Sequence, residues 1–190
     1  MSLFLFQDLP TLETPRLILR KLTMDDAQDQ FEYAVDTELA HMGLWQPFET
    51  LQDSLDDIDD LLEGYRTGTA FEWAVELRRE AKMIGRLGLG AYHAQDARAD
   101  LGYAYNRSYW GQGYATEAAQ AVLNFAFGTM RLYRVGSVVL PDNHASIHVL
   151  QKLGMQREGV RRGGTAIRGT HEDLLCYSIL RPEWEAQAKA

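Results

Sequence analysis

The chain has 190 residues, with 27 acidic against 19 basic side chains and a formal net charge of −8. That balance argues against sequence-independent nucleic-acid binding, which needs a lysine and arginine surplus to meet phosphates, and it favours cationic partners such as amines. At 46% hydrophobic and 24% charged, the composition suits one compact domain over residues 1–190 rather than a disordered chain.

The opening, MSLFLFQDLP, has no basic stretch ahead of its short apolar run, so it does not read as a signal peptide. Nowhere does an apolar run approach the ~20 residues of a membrane span, and a cytoplasmic location is expected. RLILR (16–20) alternates and predicts a strand, and Asp25–Asp26 starts a helix through DDAQDQFEYAV. GLWQPF (43–48) is expected to be a loop. Leu51, Leu55, Ile58, Leu62 and Tyr65 recur at helical spacing. The acidic residues among them read as the solvated face of that helix, or as an attractor for a cationic partner.

FEWAVEL (71–77) and MIGRLGLGAY (83–92) predict a hairpin across RREAK; the glycines of its second strand suggest bulges or close backbone approach. After the polar HAQDARA, DLGYAYN (100–106) predicts a third strand, and a helix from about Gly113 to Phe127 follows. YRVGSVVLP (133–141) is apolar and β-branched, hence a buried strand, and HASIHVLQKLG (144–154) is a short helix closed by Gly154. GTHEDLLCYSIL (169–180) holds a last strand before a terminal turn. Cys176, the single cysteine, excludes an intrachain disulfide and reads as a small buried hydrophobe. The strands run first as hairpins and then switch to a β–α–β crossover, which predicts an α+β fold with a mixed sheet.

The stretch YWGQGYATEAAQ places Gly111 and Gly113 between a strand and a helix. A helix start exposes free N–H groups and partial positive charge, which together favour an anion, most often a phosphate. Glycines there let a ligand approach the backbone, Ala115 is small for the same reason, and Thr116 and Glu117 suit a first turn. The alternative is a tight strand-to-helix turn with no ligand. A nucleotide-triphosphate loop would carry Gly-Lys-Ser/Thr, and Tyr114 and Ala115 stand there instead. A dinucleotide fingerprint needs a third glycine or small residue, where this chain has Thr116, and a βαβαβ repeat, which is absent.

The pieces TPRLILRKLTMDDA, LGYAYNRSYWGQGYATEA, PDNHASIHVLQKLGMQREG and HEDLLCYSIL together resemble the GNAT superfamily of acyl-CoA N-acyltransferases, closely its RimJ/RimL-like branch of ribosomal-protein N-terminal acetyltransferases. The family's phosphate-loop pattern falls on Trp110 to Ala115, with Trp110 replacing the usual Gln or Arg. The resemblance implies a GNAT fold with a central mixed sheet of six to seven strands, splayed at the acyl-CoA site. It implies acetyl-CoA as cosubstrate and no metal. The turn and helix start at Gly111, Gln112, Gly113, Tyr114, Ala115 and Thr116 would hold the pyrophosphate. Tyr103, Ala104 and Tyr105 would pair with pantetheine as an added strand, and Asn143 and Ser146 would reach the pantetheine arm and thiol.

The implied reaction moves an acetyl group from acetyl-CoA to a primary amine. A backbone N–H near Ala104–Tyr105 would stabilise the oxyanion. Many family members carry a tyrosine acid where this chain has Leu150; in the RimL-like branch a serine serves, which matches Ser146, whose alternative role is a helix-cap or pantetheine hydrogen bond. The glutamate base of that branch falls on Thr165 here, leaving Asp100 as the best remaining carboxylate beside water-mediated deprotonation. An α-amine, with a pKa of about 8 against about 10.4 for lysine, needs the least help to lose its proton. The expected acceptor is therefore a protein or peptide N-terminal α-amine. The alternatives are a small-molecule amine, or a non-catalytic acyl-CoA-binding module. A homodimer is among the assemblies the resemblance allows. The HMGLWQPF loop would shape the acceptor site, with Trp45 and Phe48 either stacking on the acceptor or packed inside, and Asp53, Asp56 and Asp57 drawing in a basic peptide. His144 and His148 stand four apart on a helix, but no third metal ligand is indicated. His171, Glu172 and Asp173 are expected to be solvated or ion-paired with the arginines between 157 and 168.

Overall fold

The computed structural model describes residues 9–167 and 169–187; the start of the chain, read above for a targeting signal, and Arg168 lie outside them. One eight-stranded sheet organises the molecule, in the order β1-β2-β3-β4-β5-β6-β8-β7. Its strands are β1 (Leu12–Glu13), β2 (Leu17–Arg20), β3 (Glu72–Leu77), β4 (Lys82–His93), β5 (Arg98–Tyr105), β6 (Arg134–Val139), β7 (Gln156–Ile167) and β8 (Thr170–Leu180). All neighbours pair antiparallel except β5 and β6, which are parallel and joined through α4 (Tyr114–Gly128). The mixed α+β fold is the expected one. The sheet has eight strands where six to seven are expected; the two that the sequence pattern does not signal are β1, only two residues long, and β7, which reads QREGVRRGGTAI, has no apolar alternation and buries only Ile167.

Three helices precede β3: α1 (Ala27–Ala34), α2 (Thr37–Gly43) and α3 (Leu51–Thr67). The sequence reading passed over α2, because seven residues give too few turns for a periodic signal. Its cap is nonetheless explicit, since the Asp36 carboxylate accepts the N–H groups of Glu38 and Leu39, each at 3.0 Å. For α3, Thr50 and Asp53 form a capping box, with the Thr50 N–H donating to Asp53 at 2.8 Å. Its buried stripe is Ser54, Ile58, Leu61 and Tyr65, rotated from the expected one, so that Leu51 is exposed.

The two sheet faces are covered differently. Alternation along the strands puts Trp73, Leu87 and Tyr103 on one face, where Trp73 meets Phe125 of α4 edge-on at 5.7 Å. Glu72, Arg86 and Ala104 share the opposite face, against α1 and α3. Helix α4 buries Ala118, Ala119, Val122, Leu123, Ala126 and Phe127. Each of its large side chains contributes roughly 1.5–3 kcal/mol by leaving water. Helix α5 (His144–Lys152) ends at Gly154, which takes a left-handed φ of +77° as the sequence predicts. Cys176 is half-buried rather than buried. The tail expected as a turn is a helix, α6 (Arg181–Gln187), whose Glu183 accepts the Leu180 N–H at 2.8 Å. No helix among the described residues is long and apolar enough to cross a membrane.

Candidate active site

The site begins where two strands part. β5 and β6 pair only at Arg98 with Arg134, Ala99 with Val135 and Asp100 with Gly136. At the point of divergence, the Ser137 hydroxyl donates to the Leu101 carbonyl at 2.9 Å. At the far end, the Trp110 indole N–H donates to the Tyr105 carbonyl at 2.8 Å. The N–H and C=O of one residue lie on the same side of a strand, and the side alternates along the chain. Leu101 and Tyr105 therefore both face the gap, and so does Tyr103 between them, with its N–H and C=O unclaimed by β6. On the other side, the Asn106 N–H donates to Ile84 at 2.9 Å, in keeping with that alternation. Trp110, in the place of the family's Gln or Arg, thus fixes the end of the open edge.

A cleft of about 330 Å³ occupies the gap. It is lined by Tyr103, Ala104 and Tyr105 on β5, by Gly111 and Gly113 to Thr116 at the start of α4, and by Asn143 and Ser146 at the start of α5. Gly111 and Gly113 have φ of +73° and +82°, the left-handed region that side chains disfavour, and a Cβ on Gly111 would meet only open space. Gly113 is the N-cap residue and supplies no side-chain cap. The first helical bond runs from the Glu117 N–H to the Gly113 carbonyl at 3.0 Å. The N–H groups of Tyr114, Ala115 and Thr116 therefore have no partner within the helix and point out of its positive end toward the cleft. Donors and dipole together fit a phosphate-bearing ligand.

The turn is braced from the opposite side. Glu117 accepts from the Thr14 hydroxyl at 2.6 Å, the Arg16 N–H at 3.0 Å and the Arg16 Nε at 2.6 Å. Arg16 also donates to the Gln112 carbonyl at 2.9 Å and lies over the Tyr114 ring at 4.4 Å. Burial opposes ionisation of Glu117, and the Thr14 and Arg16 hydrogen bonds outweigh it, holding the carboxyl below its ordinary range. TPR and GYATE, about a hundred residues apart, thus form one unit.

Most predicted residues converge on the cleft, and some do not. The buried Asn143 side chain caps α5 by accepting the Ser146 N–H at 3.1 Å. The Ser146 carbonyl accepts from the Tyr103 hydroxyl at 3.4 Å, and burial pushes that phenol up to about 12. Leu150 lines the cleft as a buried apolar residue. Gln112 does not line it; its carbonyl is turned to Arg16 and its side-chain amide donates to the Ser108 carbonyl at 3.3 Å. Asp100 also lies outside it, at the zipped end of β5, where its carboxylate sits over Gly136. Strand order decides this, because β5 opens only beyond residue 100. Thr165 is in the β7–β8 hairpin opposite Glu172, away from the cleft, and Asp173 accepts the Gly163 N–H at 2.8 Å. Among the described residues no group of three or more His, Cys, Asp or Glu side chains converges as a metal site.

A second chamber, of about 250 Å³, opens on the same stretch of β5 and shares Gly43, Gly102, Tyr103 and Ala104 with the cleft. Trp45 and Phe48 line it while packing against the core, which is the second of their two expected fates. Sequence reasoning missed its polar residues, Gln30, Tyr33, Glu72 and Arg86. Gln30 and Tyr33 sit one turn apart on α1, Glu72 is on β3 and Arg86 on β4, and no sequence spacing joins the helix pair to the strand pair. Of the three acidic residues expected to draw in a partner, only Asp57 reaches it; Asp53 belongs to the capping box and Asp56 accepts from Gln52.

A mixed sheet with one parallel pair prised open against a helix N-terminus is the architecture that the resemblance to the acyl-CoA N-acyltransferases implies. The comparisons carry this further. Residues 16–156 match the acetyltransferase (GNAT) domain family. YoaA of Bacillus subtilis (strain 168), an uncharacterised N-acetyltransferase, is 34% identical over 91% of this chain and 98% of its own. The [ribosomal protein uS5]-alanine N-acetyltransferase of Escherichia coli (strain K12) is 24% identical over 91% of this chain and 92% of its own. The crystal structure of a GNAT-family acetyltransferase from Bacillus anthracis superposes with a TM-score of 0.82 at 26% identity, covering 91% of this chain and 99% of that one. The chain belongs to the GNAT acetyltransferases and is an N-acetyltransferase enzyme.

Proposed function

We propose that this enzyme, working as a single domain, moves an acetyl group from acetyl-CoA to the N-terminal α-amine of a protein or peptide. The observation that carries the reading is the convergence on one cleft of an unpaired β5 edge and the unpartnered N–H groups of α4. The α4 groups bind the pyrophosphate, and the Tyr103 N–H and C=O pair with the pantetheine amides as a neighbouring strand would. Bound acetyl-CoA supplies the thioester. The Tyr105 N–H, on the same side of β5, is the donor for the oxyanion that develops on the acyl carbonyl. Ser146 gives its proton to the departing thiolate and regains one from the water that receives the amine's proton, and Asn143 holds the α5 turn that carries the serine. Asp100 lies in the paired stretch of β5 and does not line the cleft, which supports loss of the amine's proton to water. An α-amine tolerates this: with a pKa near 8, roughly a quarter is neutral at pH 7.5, whereas lysine sits about three pH units away. The ribosomal-protein acceptor named for the Escherichia coli relative supports a protein N-terminus.

The test has two arms. Calorimetry with acetyl-CoA measures whether the cleft binds it, and saturable heat is expected. Thiol release and mass shift then compare a peptide with a free N-terminus against the same peptide blocked there but carrying an internal lysine. Acetylation confined to the free N-terminus is expected; equal modification of the lysine peptide would overturn the α-amine reading.

A further inference from the structure

The second chamber is built from side chains that the acetyl-transfer chemistry above does not use. Arg86 is held by two carboxylates: its Nη1 donates to Asp57 Oδ2, and its Nε lies 3.0 Å from Glu72 Oε2. Two carboxylates against one guanidinium leave one negative charge in excess, and both carboxylates keep about a third of their side-chain surface open, at 34% and 35%. Gln30, only 2% exposed, donates to Asp57 at 2.7 Å through Nε2 while its Oε1 has no partner. The hydroxyl of Tyr33, 4% exposed, also lacks a partner. Both residues line the chamber. Buried polar atoms left unpaired cost far more than ordinary hydrogen bonds gain, so native structures rarely keep them without a use.

We infer that this chamber is the acceptor subsite, and that it selects a primary amine bearing a second hydrogen-bond donor, a hydroxyl or an ammonium, while rejecting an acidic neighbour. This rests on the transfer reading above, because the chamber and the cleft meet over Gly102–Ala104, part of the open β5 edge along which the pantetheine and its thioester would lie. The excess negative charge and the lone Gln30 acceptor both call for a donor. Tyr33, whose phenol burial holds well above its ordinary pKa, stays protonated at working pH and can give a hydrogen bond back to a hydroxyl. The volume suits one residue or a small diamine, not a long peptide segment. Trp45 and Phe48 supply the apolar wall against which the carbon stem of such a group packs.

The experiment uses isosteric acceptors with the intact enzyme and acetyl-CoA. Threonine-first and valine-first tetrapeptides, otherwise identical, form one pair; 1,3-diaminopropane and n-butylamine form the other; a glutamate-first tetrapeptide is the acidic control. The donor-bearing member of each pair is expected to exceed its partner in kcat/KM by about tenfold, since an unmet buried group costs of that order. Tyr33→Phe removes an unpartnered hydroxyl and is expected to lower the threonine-to-valine ratio, with acetyl-CoA affinity unchanged by calorimetry. Glu72→Gln removes the excess charge and is expected to lower the diamine preference and raise turnover of the glutamate-first peptide. Equal rates within both pairs, or preferences that survive both variants, would overturn the subsite. Turnover of the diamine pair alone, with the preference, supports the subsite and overturns the α-amine reading. No turnover of any acceptor despite acetyl-CoA binding overturns both.

Discussion

The cleft and the chamber lie on either side of the same three residues of β5, yet they are made of different material. The cleft is backbone: free N–H and C=O groups of β5 and α4, exposed by a strand divergence and by two glycines with positive φ. The chamber is side chain: an arginine between two carboxylates, with a glutamine and a tyrosine beside it. A backbone site reads a part common to every acyl carrier and tolerates most side-chain changes. A side-chain site can be rewritten by single substitutions, so it suits the partner that varies between enzymes of one fold.

That contrast predicts how each region fails. The largest effect is expected from Arg86→Met, which leaves Asp57 and Glu72 facing one another with no cation; breaking such a partly buried network costs roughly 3 kcal/mol of stability, read as a lowered denaturation midpoint in urea. An unchanged midpoint would mean that water already shields the pair. Next, Gly113→Val forces a β-branched residue to φ +82° and brings its Cβ to 3.4 Å from Arg16. Acetyl-CoA affinity is expected to fall about a hundredfold by calorimetry, as two or three phosphate-binding N–H groups are displaced at about 1 kcal/mol each. Wild-type affinity in that variant would remove the turn from cofactor binding.

Trp110→Phe sharpens the picture further. It deletes the indole hydrogen bond to the Tyr105 carbonyl, and about 1 kcal/mol predicts a roughly fivefold rise in the KM for acetyl-CoA with little change for the amine. The smallest effect is expected at the brace. Glu117 ionises more readily folded than unfolded, so its contribution is present above the unfolded carboxyl pKa and is lost as pH falls through the lower folded value. Glu117→Gln should therefore destabilise by about 1 kcal/mol at pH 7 and match the wild type in acid. A gap that persists below pH 3 would assign the effect to packing instead.

Particular elements show why some of this was legible and some was not. The glycine turn could be read because a positive φ must be met by the residues at that position, whatever lies around it. The stripe of α3 was read one step off because Ser54, polar by composition, packs inward while Leu51 at the first turn is left to solvent. β7 was passed over because it sits at the sheet edge and buries almost nothing, so its residues carry no alternation. Asp100 was a reasonable base from its position in the chain, and only the extent of β5–β6 pairing removes it from the cleft.

The sequence by itself determined the α+β class, the turn at Gly111–Gly113, the small residues after it and the membership in the GNAT acetyltransferases, because each of these is written in neighbouring residues. Only the tertiary structure decided where β5 and β6 part, that Trp110 closes the open edge, and that Gln30, Asp57, Glu72 and Arg86 share one chamber. The reason is physical: a turn depends on its own backbone angles, whereas a side-chain cluster depends on sheet register and helix placement across residues dozens of positions apart.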